Sequence, residues 1–227
     1  MNDDITQPTL RPVRGVARCA VAGFVLAGAA WVARAAWQVR LAVAGPPPSG
    51  LPDQGDGRHR PLTGLEDAYH IISALGDAAT LLCAVAFLVW LLRMRDNARV
   101  LSGQAPHYAW PWVYAGWIVP VVNLWVPRGI VVDVHQKSAP GERLPRVVNW
   151  WWGLWLAGML SGVGLMYTDS TDDIIARAYM DAQFLVAADT AVLGAAVAGA
   201  FVVRALTAAQ QKRMGTAENH GERALSR

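Results

Sequence analysis

Four blocks of mostly apolar residues recur along the chain, each about as long as a bilayer is thick. They run from about Gly15 to Trp37, Tyr69 to Leu92, Val147 to Tyr167 and Ala182 to Val203. A membrane-spanning helix needs about 20 mostly apolar residues, and all four blocks meet that demand. The first has the charge-free centre CAVAGFVLAGAAWVA, the second contains Asp77 and the fourth contains Asp189. Arg11, Arg14 and Arg18, before and at the start of the first block, look like the start of a secretory leader. The apolar run is longer than a leader core and more spans follow, so this block is expected to remain as a membrane anchor.

The stretch from Tyr108 to Pro127, YAWPWVYAGWIVPVVNLWVP, is apolar enough to enter a bilayer but carries Pro111, Pro120, Pro127 and Asn123. An interior proline removes a backbone hydrogen bond and clashes with the preceding turn. Broken backbone at membrane depth is tolerated only where protein or water satisfies it. The stretch is therefore either a kinked fifth span or a re-entrant hairpin leaving on the side it entered. Basic residues separate the two. With four spans, a hairpin and an inner N-terminus, 15 of the 20 Lys and Arg face inward and 5 outward; with five spans the split becomes 7 and 13. The first arrangement obeys the positive-inside rule.

The chain is accordingly expected to be an all-α integral membrane bundle of the cell membrane. It has four transmembrane helices, a Pro/Asn-broken segment at 108–127 and a short interfacial helix. Residues 1–14 form a cytoplasmic segment, 15–207 a single membrane domain and 208–227 a mobile cytoplasmic tail. Residues 38–64, with Pro46-Pro47-Pro48, read as an unstructured outer loop, and 93–107 as a basic inner loop. The acidic loop from Asp169 to Asp181 falls outside. After Pro127, which can open a helix, Ile130, Val131 and Val134 share one face, expected to lie along the inner interface.

Composition agrees. Apolar residues make up 54% and charged residues 16% of 227, against about 25% charged in soluble domains. That excludes a disordered chain and an ordinary soluble enzyme. The net charge of +3 comes from 18 Arg and 2 Lys scattered between apolar blocks, unlike the basic face of a nucleic-acid binder, so no nucleic-acid partner is expected. Cys19 and Cys83 lie in apolar blocks without metal spacing and read as small apolar residues. Trp90, Trp110, Trp112, Trp150, Trp151 and Trp152 read as an inner aromatic belt, and Trp31 and Trp37 as an outer one.

Three signatures resemble family 4328 of the bacterial domains of unknown function. They are FLVWLLRMRDNARVL at Phe87–Leu101, GWIVPVVNLWVP at Gly116–Pro127, and Trp150-Trp151-Trp152 with Trp155. Together they cover roughly residues 65–205. The resemblance implies a bacterial multi-span membrane protein and assigns no activity.

Three groups are candidate sites. Asp77 and Asp189 lie at similar depth from the outer side, where they either bind a proton or cation, or hydrogen-bond between helices with Arg34, Thr80, Ser73 or Thr190 as partner. Pro120 and Asn123, with Trp125, either open the backbone to a ligand or close the hairpin turn. Arg93, Arg95 and Arg99, with Asn97, either contact anionic headgroups or fix topology. Gly158 and Gly162 form a GxxxG, joining two copies or two helices of one copy. No HExxH, GxSxG, P-loop or GxGxxG occurs, and the five histidines do not pair at metal spacing, so neither enzyme activity nor a cofactor is expected. The partners expected are the bilayer, anionic lipid at the inner loops, and a second copy or another membrane protein. A small transporter or channel component using Asp77, Asp189 and Asn123 is the alternative.

Overall fold

Helix ends in this protein follow from capping and proline placement. Thr63 and Glu66 form a reciprocal capping box: the Thr63 N–H donates to Glu66 Oε2 at 2.8 Å, and the Glu66 N–H donates to Thr63 Oγ1 at 3.4 Å. Pro111 and Pro127 each sit in the first turn of a helix, where a missing N–H costs no hydrogen bond. The computed structural model describes residues 10–45, 62–119, 121–161, 178 and 182–225. Its helices are α1 (Arg14–Ala44), α2 (Gly64–Ser102), α3 (Trp110–Ile118), α4 (Val126–Ser138), α5 (Arg146–Leu160) and α6 (Ala182–Leu225). A 3₁₀ turn, Val122–Leu124, separates α3 from α4. Among the described residues there is no strand. The Pro/Gly loop at 46–61, Pro120, Gly162, the end of the third expected span and most of the acidic loop lie outside them.

Three helices are long and apolar enough to cross a membrane: Arg14–Ala44, Gly64–Ser102 and Phe184–Ala217 within α6. With 31, 39 and 44 residues, α1, α2 and α6 reach about 46, 58 and 66 Å at ~1.5 Å per residue, against a hydrocarbon core of about 30 Å. Only 28%, 33% and 44% of their most apolar windows is buried in protein. On α2, Ile71, Leu75, Leu82, Val85 and Val89 stand exposed at helical spacing. Apolar surface on this scale is what a lipid-facing helix requires. α5 is described over 15 residues, about 22 Å.

Several expectations need adjusting. The basic stretch 93–107 is not a loop throughout, because α2 continues to Ser102. The boundary expected near 208 falls inside α6, which runs on to Leu225. Ile130, Val131 and Val134 are buried in protein rather than turned to lipid. Trp31, Trp90, Trp151 and Trp152 are likewise buried and belong to the core, while Trp110, Trp112 and Trp150 are exposed. An indole buries a large apolar area once its N–H has a partner. Trp90 donates to Thr207 and Trp31 to Thr80, each at 3.0 Å.

The chain divides into two compact units. One comprises Met1–Val21, Val85–Asn149 and Ala200–Arg227: the start of α1, the ends of α2 and α6, and α3 and α4. The other comprises Ala22–Ala84 and Trp150–Gly199. In this second unit Trp37 donates to the Leu65 carbonyl and Gln38 to the Tyr69 hydroxyl, both at 2.9 Å, beside a cluster of Leu41, Tyr69 and Ala178.

Gly158 decides one question about the GxxxG. A β-carbon there would lie 2.6 Å from Val192 Cγ2 of α6, so this glycine serves contact between two helices of one chain. Gly158→Leu is expected to lower stability by about 1–3 kcal/mol through overpacking. Thermal unfolding of the purified variant in detergent checks this, and an unchanged midpoint would place the glycine's role elsewhere.

Candidate functional site

An ionisable side chain inside an apolar helix is costly unless paired. Asp189 on α6 is 2% exposed, and its Oδ1 lies 3.3 Å from Nη2 of Arg34, itself 9% exposed on α1. The Arg34 guanidinium also stacks over the Trp31 ring, 4.4 Å from its centroid. Trp31 donates to Thr80 on α2, and the Thr80 hydroxyl donates to the Gly76 carbonyl at 2.9 Å. Carboxylate, guanidinium, indole and hydroxyl thus link three helices. Among the described residues no hydrogen bond of good geometry reaches either Asp189 oxygen or leaves Arg34 Nε. The contact is therefore an ion pair with hydrogen-bonding capacity left over. A cavity of about 260 Å³ lies beside it, lined by Trp31, Val186, Asp189, Thr190 and Leu193 among others.

Asp77 is half-buried on α2 and does not line that cavity. Of the partners expected for the two acids, Arg34 goes to Asp189, Thr80 to Trp31, and Thr190 to the Val186 carbonyl one turn back. At Asp189 the structure thus has an acid–base pair.

α3 and α4 form a helical hairpin, so the 108–127 segment supplies its first arm and tip, and the helix expected to lie along the interface supplies its return arm. α3 and α4 lie against each other, and a β-carbon on Gly116 would sit 2.8 Å from Val126 Cγ1. Nearer the base, Gly129 leaves room for the Tyr108 hydroxyl, the His107 N–H donates to Asp133 at 3.2 Å, and Lys137 donates to the Ala105 carbonyl at 2.9 Å. The pairs 116/126, 108/129, 107/133 and 105/137 run antiparallel. Across the tip several main-chain groups pair locally. Val119 N–H bonds to Ala115 O, Asn123 N–H to Val119 O, Leu124 N–H to Val121 O, and Gly129 N–H to Trp125 O, at 2.8–3.2 Å. Asn123 is buried, while Ile118, Val119, Val121, Leu124 and Trp125 are exposed. Pro120, the other candidate here, lies outside the described residues.

The hairpin's base is fastened by polar groups that composition alone does not flag. Asn97 Nδ2 donates to the Arg11 carbonyl at 2.8 Å, while its Oδ1 accepts from the Arg11 N–H at 3.0 Å. Gln210 Nε2 donates to the Met94 carbonyl at 2.9 Å and to Ser138 Oγ at 2.8 Å; its Oε1 lies 3.4 Å from Asn97 Nδ2. Asn97, Ser138 and Gln210 are all fully buried. The start of α1 and the ends of α2, α4 and α6 meet here. Sequence reading missed Gln210 because the chain turns polar there. The signal was the buried stripe Val203, Leu206 and Gln210, which keeps helical spacing past the apolar block.

The three arginines part company. Arg95 is buried and donates to the Tyr108 carbonyl at 2.8 Å, bracing the loop before α3. Of its two expected roles, headgroup contact or topology anchor, the first does not fit a charge that points into protein. Arg99 is exposed and Arg93 half-buried. Among the described residues no group of three or more His, Cys, Asp or Glu could hold a metal ion.

Breaking the buried ion pair from one side leaves a bare charge, at about 3–5 kcal/mol, whereas replacing both partners with apolar groups is often neutral. Arg34→Met is thus expected to destabilise strongly, and Arg34→Met with Asp189→Leu to recover most of the loss. Thermal midpoints of the two singles and the double check this; additive losses would contradict the pairing.

A family model described as a domain of unknown function (DUF4328) matches residues 63–208. The match holds α2 through most of α6, including Asp189 and the hairpin, and leaves out α1 with Arg34. No curated protein and no solved structure gives a significant match. With well over half of its length matched, the chain belongs to the DUF4328 family.

Proposed function

We propose that the chain is a multi-pass protein of the cell membrane that acts as a non-enzymatic interaction or accessory protein. It has four transmembrane helices, a re-entrant hairpin and both termini on the cytoplasmic side. The observation that carries this reading is the use made of polar groups inside the apolar helices. Trp31, Gln38, Trp90 and Arg34 each engage a partner on another helix. They hold helices together, and a carrier would need such groups free to exchange with a ligand.

Topology follows from two further supports. The start of α1 and the ends of α2, α4 and α6 share contacts at Asn97 and Gln210, which favours one common side for them. The split of 15 inner and 5 outer basic residues supports reading that side as cytoplasmic. The hairpin enters and returns there, because α3 has only 9 residues, about 13 Å of helix. Arg93 and Arg99 then lie at headgroup level on that face. The exposed apolar faces meet lipid, and a second copy or another membrane protein docks against them.

A small transporter is the second reading, favoured by the cavity beside Asp189. Proteoliposomes holding a pH-sensitive dye separate the two. Under an imposed pH gradient, wild type and Asp189→Asn are expected to show the same proton leak as protein-free vesicles. Wild-type flux that vanishes in Asp189→Asn would replace the interaction reading with a carrier.

A further inference from the structure

A half-buried cation normally has an anion beside it. Arg213 on α6 departs from this. Its Nη1 donates to the Lys137 carbonyl and its Nη2 to the Leu101 carbonyl. Among the described residues it has no carboxylate partner, although it is half-buried. Both main-chain contacts hold the guanidinium in place, and among the described residues three of its five N–H groups have no partner.

This fixed cation lines a cavity of about 440 Å³ at the base of the hairpin. Lys137 lines it too, with its charge balanced by Asp133, the ammonium 2.7 Å from Oδ1. Asp133 also accepts the His107 N–H, so the one acid in the wall is already occupied. Among the described residues, the net charge left in the wall is that of Arg213. Gln136 on α4 and His107 in the preceding loop add side-chain donor groups to the lining. Residues with donor side chains thus line it from a loop, from α4 and from α6. That arrangement suits the tetrahedral oxygens of a phosphate group better than a planar carboxylate, which offers two oxygens in one plane. The volume exceeds one phosphate and leaves room for the group it is attached to.

We infer that this cavity, walled by Lys137, Gln136 and Arg213, is a binding site for a phosphate-bearing anion, either a lipid headgroup or a free phosphate compound. The inference does not depend on which side of a membrane the cavity faces.

Calorimetric titration of the purified full-length chain in detergent tests it. The probes are dioctanoyl phosphatidylglycerol, dioctanoyl phosphatidylcholine and inorganic phosphate. Saturable binding of phosphatidylglycerol without inorganic phosphate assigns a lipid headgroup; saturable binding of inorganic phosphate assigns a free anion. Either is expected to weaken at least about tenfold in Arg213→Gln, the worth of one charge-assisted hydrogen bond. Because Arg213 also holds two carbonyls, Gln136→Glu serves as the second variant. It adds a negative charge to the wall at an exposed position and should weaken binding similarly while keeping the wild-type melting point. Absence of saturable binding by phosphatidylglycerol and by inorganic phosphate would overturn the inference. So would affinity for phosphatidylcholine equal to that for phosphatidylglycerol, or binding unchanged in Gln136→Glu.

Discussion

The fold depends on one constraint: a polar group set in an apolar helix must find its partner inside the protein. Asn97 and Gln210 meet it most fully. Between them they engage both main-chain groups of Arg11, the Met94 carbonyl and the Ser138 hydroxyl. No water is needed to satisfy these contacts, so the same node can persist at a membrane boundary. It draws the start of α1 and the ends of three other helices into one layer, and Arg95 extends that layer to the loop before α3. Arg34, Asp189, Trp31 and Thr80 apply the same logic in the other unit.

With polar groups turned inward, apolar side chains are left to cover the outside. That inverts the usual soluble arrangement and explains why the three long helices are so little buried where they are most apolar. The hairpin extends the pattern. Its tip exposes Ile118, Val121 and Trp125, yet its break is closed by short main-chain bonds around buried Asn123. Prolines help here by removing donors. Pro127 has no N–H to satisfy where α4 begins, and a residue with one would need a further partner.

Much of this was legible in the sequence. The positions of the long helices followed from apolar runs, and the break at 108–127 from its prolines and asparagine. The partner of Asp189 stood among four named candidates, but only packing could choose Arg34, which lies 155 positions away in the chain. The tryptophans misled because composition cannot separate an indole facing lipid from one buried on a threonine. Trp90 and Trp150 are the same residue type and were both expected at the inner boundary, yet one is fully buried and one largely exposed. Helix ends were the other gap. α2 and α6 run past the apolar blocks because Asn97 and Gln210, polar in sequence, occupy buried positions in the helix.

In the proposed topology the chain enters the membrane at α3 and returns on the same side before α5. The most direct measurement is the sidedness of the turn between α4 and α5. Glu142 is exposed there, unlike buried Ser138, so a single cysteine at Glu142→Cys, with Cys19 and Cys83 replaced by alanine, can report on it. Intact cells are treated with a membrane-impermeant maleimide before and after permeabilisation. With the hairpin, labelling is expected only after permeabilisation. Labelling of intact cells would make the 108–127 segment a true crossing and would contradict the hairpin topology.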